Sequence, residues 1–216
     1  MSARENILNR IRSQSGKAGE TTAAEMAGVR STIAARARGP LPSIALENPL
    51  IRFINECARL KSTVDIVQGT ELIPQALAGY LSQNELKMTV VGWPSLSNLN
   101  WKAVGIQYEN RLACGEDMVG VTDSFCAIGE TGTVLLLSSP TTPKLHALLP
   151  ETHICIVSQQ RIVATMEDAF QLLRDEKGAL PRSTFFISGP SRTADIEQTI
   201  VIGAHGPYRV HVLIIP

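Results

Sequence analysis

A carboxylate set among glycines, Gly129-Glu130-Thr131-Gly132-Thr133, is followed at once by the apolar run Val134-Leu135-Leu136-Leu137 and then by Ser138-Ser139-Pro140. Glycines in such a turn let backbone pass close to another group or take up positive φ. A turn that opens onto a central strand is also where α/β proteins commonly hold a ligand. Glu130 is therefore a candidate catalytic carboxylate, with Thr131, Gly132 and Thr133 as candidate ligand contacts. The same residues equally describe a tight hairpin with a solvated glutamate.

A second segment, Ser188-Gly189-Pro190-Ser191-Arg192-Thr193-Ala194-Asp195-Ile196-Glu197, follows an expected strand over Thr184 to Ile187 and precedes an expected helix over Ala194 to Ile202. Strand, small-residue loop and helix together aim free N–H groups and the positive helix end at an anion. Ser188, Gly189, Ser191 and Arg192 form a candidate anion cradle in which Arg192 makes a bidentate pair with a carboxylate or phosphate. In the plainer reading Arg192 pairs with Asp195 or Glu197 in a capping loop. His205, in Gly203-Ala204-His205-Gly206-Pro207, is a candidate acid–base or ligand-holding imidazole, or an exposed loop residue.

Several chemistries find no support. The four cysteines (Cys57, Cys114, Cys126, Cys155) are far apart and form no CxxC, whereas clusters and structural zinc draw on closely spaced thiols. His146 and His153 do not have the spacing of a helical metal pair, and no metal site is expected. No GxSxG, GxxxxGK[ST] or GxGxxG stretch occurs, which argues against serine hydrolysis, P-loop chemistry and standard dinucleotide binding. Twenty basic against twenty acidic residues give a formal net charge of zero, with no footprint for nucleic acid. The polar N-terminus lacks a signal-peptide core and no apolar run reaches the ~20 residues of a membrane span. A cytoplasmic protein with no membrane span is expected.

These residues need a framework to hold them. Residues 3–13 and 22–36 have helical spacing, the second with Met26, Val29 and Ile33 on one face, and Gly39-Pro40-Leu41-Pro42 reads as a linker. The expected division is an N-terminal helical arm over 1–42 and a main domain over 43–216. Asn48 suits an N-cap and Pro49 the first helical position of a helix with Leu50, Phe53, Ile54 and Cys57 on one face. Strand and helix patterns then alternate. Strands are expected near 64–67, 88–91, 103–106, 119–128, 133–137, 153–157, 184–187 and 209–215, and helices near 71–81, 166–173 and 194–202. Such alternation implies crossovers and a mainly parallel sheet flanked by helices. Between 118 and 137, however, two strands follow one another with only the Glu130 turn between them, an antiparallel excursion.

The ordered set Ile128 to Val134, Ser138-Ser139-Pro140, Leu148-Leu149-Pro150 with His153, Ser188 to Glu197 and Gly203 to Pro207 resembles the signature of the lactate-utilisation (LUD) domain family. The opening Ser2 to Leu8 is similar to the start of its stand-alone members. The resemblance implies an α/β fold of the NagB/RpiA/CoA-transferase-like kind. It also implies a cluster-free accessory role, with no cofactor on this chain, beside iron–sulfur subunits that oxidise L-lactate to pyruvate. A small anionic metabolite is a further expected partner. The alternative is a stand-alone CoA-transferase-like or acyl-transfer enzyme using Glu130 as nucleophile. Two departures stand out: Gly129 replaces an alanine expected before Glu-Thr-Gly, and Thr141-Thr142-Pro143-Lys144 replaces a glycine-containing basic loop.

Overall fold

Reciprocal capping opens the first two helices. Ser2 and Glu5 cap α1 (Ala3–Gln14), and Thr22 and Glu25 cap α2 (Ala23–Ala35), each pair exchanging side-chain and backbone hydrogen bonds. The computed structural model describes residues 2–16, 21–40, 48–194 and 199–216. Leu41, Pro42, Asp195, Ile196 and Glu197, on which some of the expectations above fall, lie outside those residues. The chain divides into two compact units, Met1–Ile44 with α1 and α2, and Ala45–Pro216 with everything else.

The second unit opens on α3 (Pro49–Arg59). The Asn48 side chain accepts from the Leu50 amide at 2.9 Å, and Pro49 occupies the first turn where no N–H is needed. There follow β1 (Thr63–Ile66), α4 (Ile73–Gln83), β2 (Thr89–Gly92), β3 (Gln107–Glu109) and β4 (Val119–Asp123). Next come β5 (Cys126–Ile128), β6 (Thr133–Leu137), a single-turn α5 (Leu145–Leu148), β7 (Thr152–Ser158) and β8 (Ile162–Val163). The chain closes with α6 (Met166–Lys177), β9 (Thr184–Ile187), β10 (Arg192–Thr193), β11 (Val201–Ile202) and β12 (Arg209–Ile215).

Six strands form one sheet in the order β1-β12-β7-β4-β2-β3, and every neighbouring pair is parallel. This is the α/β architecture expected from the alternating pattern, with a mainly parallel sheet and flanking helices. On one face Ile73, Leu77 and Leu81 of α4 pack with Val90, Val121, Ile154 and Leu213. The alternate residues Cys155, Val157, Val212 and Ile214 point to the opposite face, where they meet Phe53 and Cys57 of α3. Also in that cluster are Ala127, Val134 and Leu136, which belong to a second, four-stranded sheet in the order β8-β5-β6-β9. The antiparallel excursion is β5 and β6 of this second sheet, with Glu130 in the turn that joins them.

Three local expectations are corrected. Residues 101–104 form a 3-10 turn ended by Gly105 at φ +76°, so the strand begins only at Gln107. The strand over 119–128 is two strands, because the chain leaves the large sheet after Asp123 and enters the small one at Cys126. Of the helix expected over 194–202, the described residues 194 and 199–202 are not helical: β10 and β11 pair antiparallel, Arg192 opposite Ile202 and Thr193 opposite Val201. The β-branched run Thr199-Ile200-Val201-Ile202 suits a strand better than a helix, and that preference outweighs its helical spacing.

Strand order creates one special place. From β2 the chain runs outward to the edge strand β3, then returns to β4 on the other side of β2 and continues towards β7 and β12. Connections therefore diverge from the carboxyl ends of β2 and β4, which in open α/β sheets is where a crevice forms.

Candidate functional site

The Glu130 turn is held by its neighbours rather than left open. The Gly129 and Glu130 amides donate to the carbonyls of Val163 (2.8 Å) and Ala164 (3.0 Å). Glu130 Oε1 accepts from the Met166 amide at 2.7 Å, so this carboxylate satisfies an otherwise unpaired N–H at the start of α6. Thr131 and Thr133 hydroxyls lie 2.7 Å apart, and the Thr133 hydroxyl lies 2.6 Å from that of Ser188. The Glu130 turn and the Ser188 loop therefore meet in space.

What they meet around is helix α3. A Cβ on Gly129 would stand 2.8 Å from the Pro49 carbonyl oxygen, which explains why glycine rather than alanine precedes Glu130. Gly132 has φ +59°, and a Cβ there would stand 2.8 Å from the Cys57 amide nitrogen. Gly189 has φ +82° and would meet the Leu60 carbonyl at 2.9 Å. The Arg192 guanidinium donates to the same Leu60 carbonyl at the end of α3. The close approaches that these glycines permit are thus to α3 backbone, and the space a ligand would need beside Gly132 and Gly189 is filled by the helix.

Ser191 is tied to the Gly203–Pro207 loop through its amide to the Pro207 carbonyl and its carbonyl to the Gly203 amide, both 2.9 Å. His205 is exposed on that loop, and Ser188 and Arg192 are exposed as well. Arg192 lines a cavity of about 280 Å3 with Lys61, Thr63, Tyr80, Tyr208 and Arg209, whose walls do not include Glu130. With Arg192 and Thr193 in a strand and Ala194 not helical, the cradle is not the loop-to-helix junction expected to face an anion. The structure brings Thr131, Thr133 and Ser188 together, whereas Arg192 lines a cavity that Glu130 does not border.

The crevice at the ends of β2 and β4 is a second candidate, with a volume of about 490 Å3. Trp93, Asp123, Ser124, Phe125, Ser139 and Lys177 are among its lining residues, with Leu137 and Thr142. The crossing from β4 to β5 is firmly held: Ser124 Oγ donates to the Ile156 carbonyl at 3.0 Å, and the Arg161 guanidinium lies 4.6 Å over the Phe125 ring. Trp93 Nε1 donates to the Pro143 carbonyl at 3.0 Å, and Tyr108 OH donates to the Trp93 carbonyl at 2.6 Å. Asp123 Oδ2 accepts from Ser95 Oγ at 2.8 Å. Burial raises the Asp123 carboxyl above its ordinary value, and the Ser95 hydroxyl only partly offsets this. A perturbed carboxyl in a crevice is a functional-site signal. Asp123 was missed in the sequence although one cue was present, an acidic residue closing the apolar run from Val119.

Some of the remaining polar groups of the core have internal partners, whereas Thr152 Oγ1, His153 Nδ1 and His211 Nε2 are buried without a hydrogen bond. His153 Nε2 lies 2.9 Å from Thr122 Oγ1, and His146 Nε2 lies 2.7 Å from the Arg111 carbonyl. His211 stacks on Tyr80 with centroids 4.0 Å apart. Cys57, Cys126 and Cys155 are buried free thiols, and burial pushes Cys57 and Cys126 up to about 12. Among the described residues no three histidine, cysteine or acidic side chains are grouped as for a metal ion, and no helix is long and apolar enough to cross a membrane.

Residues 99–215 match the family model of the LUD domain. The chain is similar to an uncharacterized protein of Neisseria meningitidis serogroup B, 36% identical over 96 residues, 44% of this chain and 41% of that one. It is 34% identical over 127 residues to lactate utilization protein C of Bacillus subtilis, covering 57% of this chain and 53% of the relative. To lactate utilization protein C of Geobacillus kaustophilus it is 29% identical, over 99% of this chain and 80% of that one. In the first two cases the chain spans about half the length of the curated relative. A DUF162 family protein from Deinococcus radiodurans of known crystal structure superposes with a TM-score of 0.56 at 21% identity, over 78% of this chain and 96% of that one, a likeness of fold.

Proposed function

The chain belongs to the LUD domain family, and on that premise we propose that it serves lactate utilisation as a cluster-free accessory component. In this reading it acts in the cytoplasm beside iron–sulfur partners that oxidise L-lactate to pyruvate, and it binds a small anionic metabolite. The observation that carries the reading is similarity to proteins named lactate utilization protein C, in one case along 99% of the chain. The thiols support it: Cys57, Cys126 and Cys155 are buried free cysteines, and among the described residues no three histidine, cysteine or acidic side chains are grouped as for a metal ion.

The acyl-transfer alternative has less support. A nucleophilic carboxylate must be free to attack, and Glu130 instead accepts from the Met166 amide at the start of α6. Deleting the gene from its host and plating on L-lactate as sole carbon source tests the accessory role. Growth should fail without the gene and return with it, and the tagged protein should co-purify anaerobically with brown iron–sulfur absorbance. Normal growth of the deletion strain would overturn the reading.

A further inference from the structure

The crevice beside Asp123 does not end at its own walls. Ser138, Ser139 and Pro181 also border a second cavity of about 720 Å3, where Lys144 and Arg182 supply positive charge. The polar groups differ between the two compartments, although Lys177 brings one ammonium into the first as well, 5.9 Å from the Phe125 ring centroid. In the first, Asp123 offers an acceptor: Ser95 occupies Oδ2, while no described protein group donates to Oδ1. Its other walls include the apolar faces of Trp93, Phe125 and Leu137. In the second, Lys144 lies over the Phe185 ring at 5.2 Å, and neither Lys144 nor Arg182 is ion-paired among the described residues.

Cavities of about 300–1,000 Å3 accommodate drug-sized ligands, so a three-carbon acid would fill little of this cleft. Flat apolar walls beside one acceptor favour a flat head that donates N–H, because a polyol would leave hydroxyls unpaired against the aromatic rings. A guanidinium and an ammonium together match a phosphate, the first through its fork and the second as a point charge. We infer that the cleft binds a phosphate ester of a flat, N–H-bearing head group, with the head against Asp123 and the phosphate on Lys144 and Arg182. This deepens the metabolite-binding half of the reading above and rests on it. It is nonetheless separable from the lactate role, which the growth assay decides without reference to the cleft.

Adenosine 5′-monophosphate is the probe, titrated calorimetrically against the full chain, with adenosine, inorganic phosphate and L-lactate as comparisons. It should bind at least tenfold more tightly than any of the three. Lys144→Ala and Arg182→Ala should each weaken the nucleotide at least tenfold and leave adenosine unchanged. Asp123→Asn should weaken nucleotide and adenosine alike. Lys144 and Arg182 are exposed, so their replacement leaves the core intact, and an unchanged melting temperature verifies this. The inference is overturned if the nucleotide binds no better than inorganic phosphate, or if the three substitutions leave its affinity unaltered.

Discussion

Asp123 occupies a position where stability and binding pull in opposite directions. Its carboxyl is raised by burial, so the folded chain holds that proton more tightly than the unfolded chain does. A group of that kind favours folding below its unfolded value and loses that contribution as pH rises through the folded one. Asp123→Asn should therefore melt higher than the parent at pH 8 and equal to it below about pH 3.5, where both carboxyls are protonated. An unchanged or lower melting temperature at pH 8 would show that Asp123 is not strained by its surroundings. The buried histidines work the other way. Burial, then the neighbouring His146, lowers His153 to about 3, while burial lowers His211 to about 4 against the opposing pull of Asp65 and Thr63. The 3.7 Å contact of His211 with Asp65 is thus not an ion pair at neutral pH. Below about pH 6.5 the unfolded chain takes up two protons that the folded chain refuses, and stability falls by up to about 1.4 kcal/mol per pH unit for each ring. Urea midpoints should drop between pH 7 and pH 5, and His153→Gln should roughly halve the slope. Glu130 belongs to this scale as well. Removing its carboxylate with Glu130→Ala should cost about 1 kcal/mol through the lost cap on Met166 while growth on lactate persists. Lost growth with unchanged stability would return Glu130 to the reacting groups.

Helix α3 shows how an element can take over a motif that reads as a binding loop. Gly129, Gly132 and Gly189, spaced along two separate loops, each face a different point of its backbone from Pro49 to Leu60. In the sequence their presence signals close approach, correctly, but not what approaches, because the partner lies between 75 and 129 residues earlier. Gly132→Ala makes the distinction measurable. It adds strain at φ +59° and places a methyl 2.8 Å from the Cys57 amide nitrogen, for a cost of roughly 1–3 kcal/mol. Chemical denaturation should show that loss, with nucleotide affinity in the Asp123 cleft unchanged. A stable variant with altered binding would instead place a ligand at the turn. Local signals were reliable where the physics is local, as at Asn48 and Pro49 of α3. They misled at β10 and β11, where strand pairing decides, and at 119–128. There, periodicity continues through Ser124 and Phe125 although the chain changes sheets between them.

At the scale of the second unit, alternating strands and helices made the parallel sheet legible, since each crossover is written in consecutive residues. The crevice was not legible, because it exists only once β4 is known to lie on the far side of β2 from β3, and strand order is a non-local property. The same non-locality joins the two sheets. Phe53 of α3 is fully buried in one cluster with Val134 and Leu136 of the small sheet and Val212 and Ile214 of the large one. Neither sheet covers that face by itself, so the two should unfold together rather than in sequence. Phe53→Ala removes the aromatic ring that both share and should cost about 3–5 kcal/mol. Amide exchange monitored in β6 and in β12 should then accelerate by the same factor, because both strands open through a single event. If β6 loses protection while β12 keeps it, the small sheet is a separately folding unit. The crevice between β4 and the Ser138–Thr142 segment would then have one wall free to move independently of the other.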